Sequence, residues 1–177
     1  MTELKLKNYY LKVLKNFQSN AIFYRYFNQK KRYKETYNLL IKIILFIKKN
    51  SDKNVRQNIY VSCDKSYFMY VSIIAILLTN NVWIPLSKSL PKKRVRDILK
   101  DVHPHMFIHD GIDDTKNFIK YTKKIYSFSS ILKKNLKKTR VNINSLINFI
   151  EFNNTAFIYF TSGSTGVSKG IKISHKN

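Results

Sequence analysis

The stretch "YVSIIAILL", Tyr70 to Leu78, is apolar on every side of a helix rather than on one stripe. Its apolar core, from Val71 to Leu78, is too short to cross a bilayer, and Asn80 and Asn81 close it. Such a helix must be covered by other elements all round. The flanking sequence supplies the cover. "QNIYVSC" before it is a short β-branched strand, and "VWIPL" after it is a second strand closed by Pro85. Asp64 or Ser66 can cap the helix. "SLPKKRVRDILKDVHP" then gives an amphipathic helix with Val95, Ile98, Leu99 and Val102 on one face. Ser89 can cap it, Pro91 suits its first turn and Pro104 stops it. "HMFIHD" is a third strand. Strands alternating with helices predict an α/β fold whose sheet is mostly parallel.

The flanks extend the same pattern. Residues 1–20 form a helical lead-in, with Leu4, Leu11 and Leu14 on a loosely apolar face. "ETYNLLIKIILFIKKN" carries Leu39, Leu40, Ile43, Ile44 and Ile47 at helical spacing and ends on Lys48 and Lys49, which suit a helix C-terminus. The signal weakens between Gly111 and Asn154. There "KIYSF" is a candidate strand and "ILKKNLKKTR" a lysine-rich surface segment. "TAFIYF" is a strand that runs into "TSGSTGVSKG", residues 161–170, which holds three of the four glycines.

That glycine-rich stretch fails the Walker A spacing, because Ser168 stands where its second glycine belongs and Gly170 follows Lys169. It also fails the dinucleotide pattern G-x-G-x-x-G. The physics of a phosphate cradle remains: glycines let N–H groups approach an anion, hydroxyls donate, and a lysine adds charge. The strand before it sets it at a strand's carboxyl end, where open α/β sheets bind ligands. A flexible Ser/Gly surface turn explains the same composition.

"YFTSGSTGVSKGIKISHKN" resembles the signature of the AMP-forming, adenylate-forming enzymes, roughly YTSGSTGxPKG followed by a histidine-containing stretch. The group includes acyl-CoA synthetases, D-alanine–carrier-protein ligases and adenylation domains of nonribosomal peptide synthetases. Thr161 to Gly166, Lys169, Gly170 and His175 fall in register, and Ser168 stands at the usual proline. "VWIPLSKSLPKKRVRDILKDVHPHMFIHD" is similar to AYVPLDPSYPxxRLxxILxDxxPxxLLTD, with Ser87 at the usual aspartate and Asn80 at a usual glycine. Asn mimics a glycine's left-handed backbone better than other residues. "RYKETYNLL", with Tyr33 and Glu35, resembles the TYxEL helix start. The likeness covers residues 21–177 in collinear order, taken as a partial AMP-binding N-terminal domain.

The resemblance implies an α/β fold corresponding to the front of that family's large domain, and an ATP-dependent ligase. A carboxylic acid, an amino acid by preference, attacks the α-phosphate of ATP. The acyl-adenylate then passes to a thiol of coenzyme A or of a phosphopantetheinyl carrier protein. It implies that Thr161, Ser162, Ser164 and Thr165 donate hydroxyls to the departing phosphates. Gly163, Gly166 and Gly170 would free the backbone, and Lys169 would supply charge. It also implies Mg2+, whose acidic ligand, with the adenine and acid pockets and the catalytic lid, is expected downstream of Asn177. The chain is therefore expected to be a fragment, poor in solubility, with no complete adenylation activity alone. His175 is a motif match that a packed or hydrogen-bonded histidine after a strand explains better.

Several other classes are disfavoured. The formal charge of +23 comes with abundant Lys, Asn, Ile, Phe and Tyr and scarce Ala, Gly and Pro, a codon-bias pattern rather than a nucleic-acid signature. It predicts weak, salt-dependent binding to RNA or anionic lipid, not specific recognition. A non-catalytic interaction module that keeps this subdomain is the further alternative. Cys63, the single cysteine, has no disulfide or CxxC partner and suits a core position. His103, His105 and His109 lack a completing Cys or Glu, so no metal is expected there. Arg94 and Asp101 suit a solvated or locally paired helix face. No signal peptide or membrane span is visible, so the expected location is cytoplasmic.

Overall fold

The computed structural model describes residues 2–26, 28–52, 55–62, 65–111, 116–135, 141–162 and 168–177. In chain order the elements are α1 (Glu3–Lys15), a 3-10 turn (Asn16–Gln18), β1 (Ile22–Tyr26), β2 (Gln29–Arg32), α2 (Tyr33–Asn50), β3 (Asn58–Ser62) and α3 (Tyr67–Leu78). They continue with β4 (Val82–Pro85), α4 (Lys92–Asp101), β5 (Met106–His109), α5 (Lys116–Ile119), β6 (Ile125–Ser127), α6 (Phe128–Lys133), α7 (Ile143–Ile147), β7 (Thr155–Ser162) and β8 (Ser168–Ser174).

β1 and β2 form a separate antiparallel hairpin. The six-stranded sheet has the order β6-β5-β3-β4-β7-β8. Every pairing from β6 to β7 is parallel, and β7–β8 alone is antiparallel. The α/β expectation with a mostly parallel sheet is borne out. From β3 the chain steps one way to β4 and then back past β3 to β5. Right-handed crossovers therefore place α3 and α4 on opposite faces.

Side-chain parity separates two cores. Ile59, Val61, Met106 and Ile108 face a core with α2, α3 and parts of α1, α6 and α7. Tyr60, Ile84 and Phe107 face a second core with Ile98 and Leu99 of α4. Each fully buried Ile or Phe contributes about 1.5–3 kcal/mol. α3 lies between the sheet and α2, which explains why it is apolar all round. Ser66 caps it, its Oγ accepting from Met69 N at 3.3 Å; Asp64 and Cys63 lie outside the described residues. Asn80 ends it at φ 56°. Glu35 steadies the start of α2 by accepting from Arg32 N at 3.2 Å.

Some expectations need correction. α4 starts with Pro91 at its N-cap and no side-chain cap. Ser89 instead pairs with Ser87, their Oγ atoms 2.8 Å apart, in the turn before the helix. On α1 the buried leucines are Leu6 and Leu14, whereas Leu4 is 69% exposed. Leu6, Tyr10 and Leu14 recur every four residues and make the inward stripe. The segment from Ile131 is not wholly surface: α6 buries Ile131 completely. The hairpin β1–β2 and the short helices α5 and α7 were not anticipated.

Candidate functional site

The parallel strands bring Ser62, Pro85, His109, Ser127 and Ser162 to one carboxyl edge of the sheet. The connections of β3 and β5 leave on opposite faces, α3 into the first core and α5 into the second, so a crevice opens at that edge between their carboxyl ends. An ion pair spans it, with Lys88 Nζ 2.5 Å from Asp110 Oδ1. Lys88 follows β4 and Asp110 follows β5, so the pair reaches across the end of β3. Gly111 then turns at φ 112°, a value that strains any L side chain.

The glycine-rich stretch joins β7 to β8, which pair antiparallel. Thr161 pairs with Lys169, and Ser162 with Ser168. Directly paired residues share a face, so Thr161 and Lys169 stand side by side at the mouth of the turn. Lys169 is exposed and Thr161 half-buried. Gly163, Ser164, Thr165 and Gly166 lie outside the described residues. Gly170 is not in the turn but in β8, opposite Phe160. A Cβ on it would come within 3.1 Å of Ile158 Cγ2 and of Phe160 Cε1. It therefore gives room to side chains of β7.

His175 follows β8 at the opposite edge of the sheet. It is buried against the rings of Tyr10 and Phe152. Its Nδ1 shares a 3.2 Å hydrogen bond with the Tyr10 hydroxyl, and Nε2 is buried with no partner among the described residues. Burial, with Arg56 nearby, pushes its pKa down to about 4. The packing reading of His175 fits this position.

The remaining histidines each bind backbone. His103 Nδ1 meets Leu99 O at 2.9 Å. His105 Nδ1 accepts from Asn58 N at 3.1 Å. His109 Nδ1 accepts from Gly111 N at 3.3 Å, and burial lowers its pKa. Among the described residues no three His, Cys, Asp or Glu side chains group as metal ligands. The donors at the hairpin mouth, a hydroxyl and an ammonium, suit phosphate oxygens and do not fit Mg2+. No described helix is long and apolar enough to cross a membrane.

Sequence reasoning placed Thr161 and Lys169 in one stretch but did not foresee their strand pairing. It also missed the Lys88–Asp110 pair, whose partners are 22 residues apart and meet only once β4 and β5 flank β3.

A family model described as "AMP-binding enzyme" matches residues 13–177. The nonribosomal peptide synthetase sidN of Epichloe festucae (strain Fl1) is 29% identical over 148 residues, 83% of this chain and 3% of that protein. The sidN of strain E2368 is 32% identical over 120 residues, 67% of this chain and 2% of that protein. Among solved structures, o-succinylbenzoate coenzyme A synthetase (MenE) from Bacillus subtilis, in complex with AMP, is similar with a TM-score of 0.76 at 15% identity. That match covers 92% of this chain and 41% of MenE. VinN in complex with L-aspartate gives a TM-score of 0.71 at 16% identity, over 99% of this chain and 48% of VinN. The chain thus spans 2–3% of these curated relatives and less than half of these solved ones.

Proposed function

The chain belongs to the AMP-binding enzyme family, and from that premise we propose that its β7–β8 turn holds the departing pyrophosphate of ATP in a ligase that activates a carboxylic acid. One observation carries the reading. Thr161 and Lys169 are cross-strand partners at the carboxyl edge of a parallel sheet. There a hydroxyl donor and a point charge meet phosphate oxygens where negative charge develops.

In this proposal Thr161, Ser162, Ser164 and Thr165 donate hydroxyl hydrogen bonds to the phosphates. Gly163 and Gly166 free the backbone for N–H donation to the phosphates, and Lys169 neutralises charge. Gly170 acts indirectly, by letting β8 lie close against Ile158 and Phe160. The acid attacks the α-phosphorus, and the bond to the bridging oxygen of pyrophosphate breaks. The thiol of coenzyme A or a carrier protein then attacks the acyl carbon of the adenylate, losing its proton, and AMP leaves as the thioester forms. An amino acid is the favoured acid, because the relatives are named nonribosomal peptide synthetases and VinN was solved with L-aspartate. Mg2+ would neutralise phosphate charge when bound. A cytoplasmic location accompanies this reading.

Calorimetric titration of the 177-residue chain with pyrophosphate tests the loop. Native protein is expected to bind, and Lys169→Ala to bind about tenfold or more weakly, the scale of one charge-assisted hydrogen bond. Equal affinity in the two would overturn the assignment. ATP–pyrophosphate exchange separates the loop from the whole reaction. Phosphate binding without exchange is expected of a unit covering under half of the solved relatives.

A further inference from the structure

The β1–β2 hairpin carries a surface that acid activation leaves unused. Residues 19–34, SNAIFYRYFNQKKRYK, hold five cations (Arg25, Lys30, Lys31, Arg32 and Lys34) and no acid. All four residues of β2 are exposed. In register Tyr24 pairs with Lys31 and Tyr26 with Gln29, so both tyrosines share one face of the ribbon. The tip of α3 adds two more rings. Tyr24 lies 6.5 Å from Tyr26, 5.8 Å from Tyr67 and 6.1 Å from Tyr70 between ring centres. Tyr26 and Tyr70 remain 55% and 39% exposed. Lys31 Nζ sits 5.8 Å from the Tyr67 ring centre. Phe23 anchors the ribbon, packing edge-on against Tyr33 at 5.2 Å.

A solvated charge run needs no aromatic rings beside it, and a packing cluster would not leave half of two rings in water. Together the two features match a surface that stacks bases and neutralises phosphates. We propose that this face binds single-stranded nucleic acid without sequence preference, with Tyr24, Tyr26 and Tyr70 on bases and Lys31 and its neighbouring cations on phosphates. Unpaired strands fit because a duplex keeps its base faces stacked internally. An acidic protein would meet the cations but present no flat ring face to three clustered tyrosines. The net charge alone explains loose adhesion anywhere on the surface; the ring cluster gives it an address.

Fluorescence anisotropy of the full chain with a labelled oligouridylate dodecamer tests this, with heparin as a polyanion that has no bases. Tyr26→Ser combined with Tyr70→Ser is expected to weaken oligouridylate binding about tenfold or more. It should leave heparin affinity and the salt slope unchanged. Replacing Lys5, Lys12 and Lys15 on the exposed face of α1 by Ser should change oligouridylate affinity far less than the tyrosine pair does, although it removes three charges. Circular dichroism checks that the variants fold. Cross-linking with 4-thiouridine gives a readout on unmodified protein, expected at residues 22–32 or at Tyr70. Native affinity in the tyrosine variant, an equal loss towards heparin, or cross-links confined elsewhere would overturn the proposal. Polyglutamate binding as tightly, with the same tyrosine dependence, would assign the face to an acidic protein instead.

Discussion

Asn80 shows how one residue fixes the register of a fold. It ends α3 at φ 56°, where an L side chain other than Asn or Asp is costly. Its Oδ1 is buried with no partner among the described residues, so what the turn uses is the residue's tolerance of that backbone. Asn80→Gly is therefore expected to match or exceed native stability, whereas Asn80→Val should cost about 1–2 kcal/mol, the price of a left-handed β-branched residue. Urea midpoints of the two variants check the ordering. His175 makes a pH-dependent contribution. Its folded pKa, about 4, lies below the ordinary histidine value, so between these two the unfolded chain binds more protons. The stabilisation of neutral His175 is complete above about pH 6.5 and declines as pH falls towards 4, by roughly 3 kcal/mol at most. Urea midpoints at pH 7.5 and 5.0 should drop for native protein. His175→Phe, which cannot titrate, should flatten that slope.

At the scale of elements, the β7–β8 hairpin depends on a missing side chain. Gly170 faces Phe160, and a methyl group would sit 3.1 Å from both Ile158 and Phe160 atoms. Ile158 is buried in the second core and has little freedom to move. Gly170→Ala is expected to destabilise by about 1–3 kcal/mol through overpacking. It should also weaken pyrophosphate binding, because Lys169 is the next residue; native affinity in a clearly destabilised variant would separate packing from the proposed site. The same hairpin marks where sequence reasoning stopped. β3 to β5 with α3 and α4 were legible because α4 keeps its apolar residues on one helical face, α3 is a long apolar run between two short ones, and Asn or Pro closes them. Tyr33 and Glu35 likewise marked the start of α2. The β1–β2 ribbon was not, since β2 is wholly exposed and carries no apolar alternation. α5 and α7 span four and five residues, too short for a helical period to register. At the site, the residue types of the turn were legible. Their pairing, and the Lys88–Asp110 pair over β3, depend on strand order, which no local pattern encodes.

Across the whole molecule, charge and apolar surface oppose each other. On the hairpin face that carries Thr161 and Lys169, Tyr159 and Ile171 are cross-strand partners, 54% and 48% exposed. β8 lies at one end of the sheet order, so among the described strands its outer edge is also unpaired. An apolar pair beside an open edge is a template for association between copies. The net charge of +23 holds copies apart while its field is unscreened. Screening shortens that field from about 10 Å at 0.1 M salt to about 3 Å at 1 M, while apolar attraction persists. Native chain is therefore expected to stay monodisperse at low salt and to associate as salt rises. Tyr159→Thr with Ile171→Thr leaves a strand-compatible β-branched residue at both positions but removes most of the apolar area. Light scattering over a salt series should show this variant associating at markedly higher salt. Its urea midpoint should differ little, since exposed substitutions usually change stability by within about 0.5 kcal/mol. Association of both proteins at the same salt concentration would place the sticky surface elsewhere on the molecule.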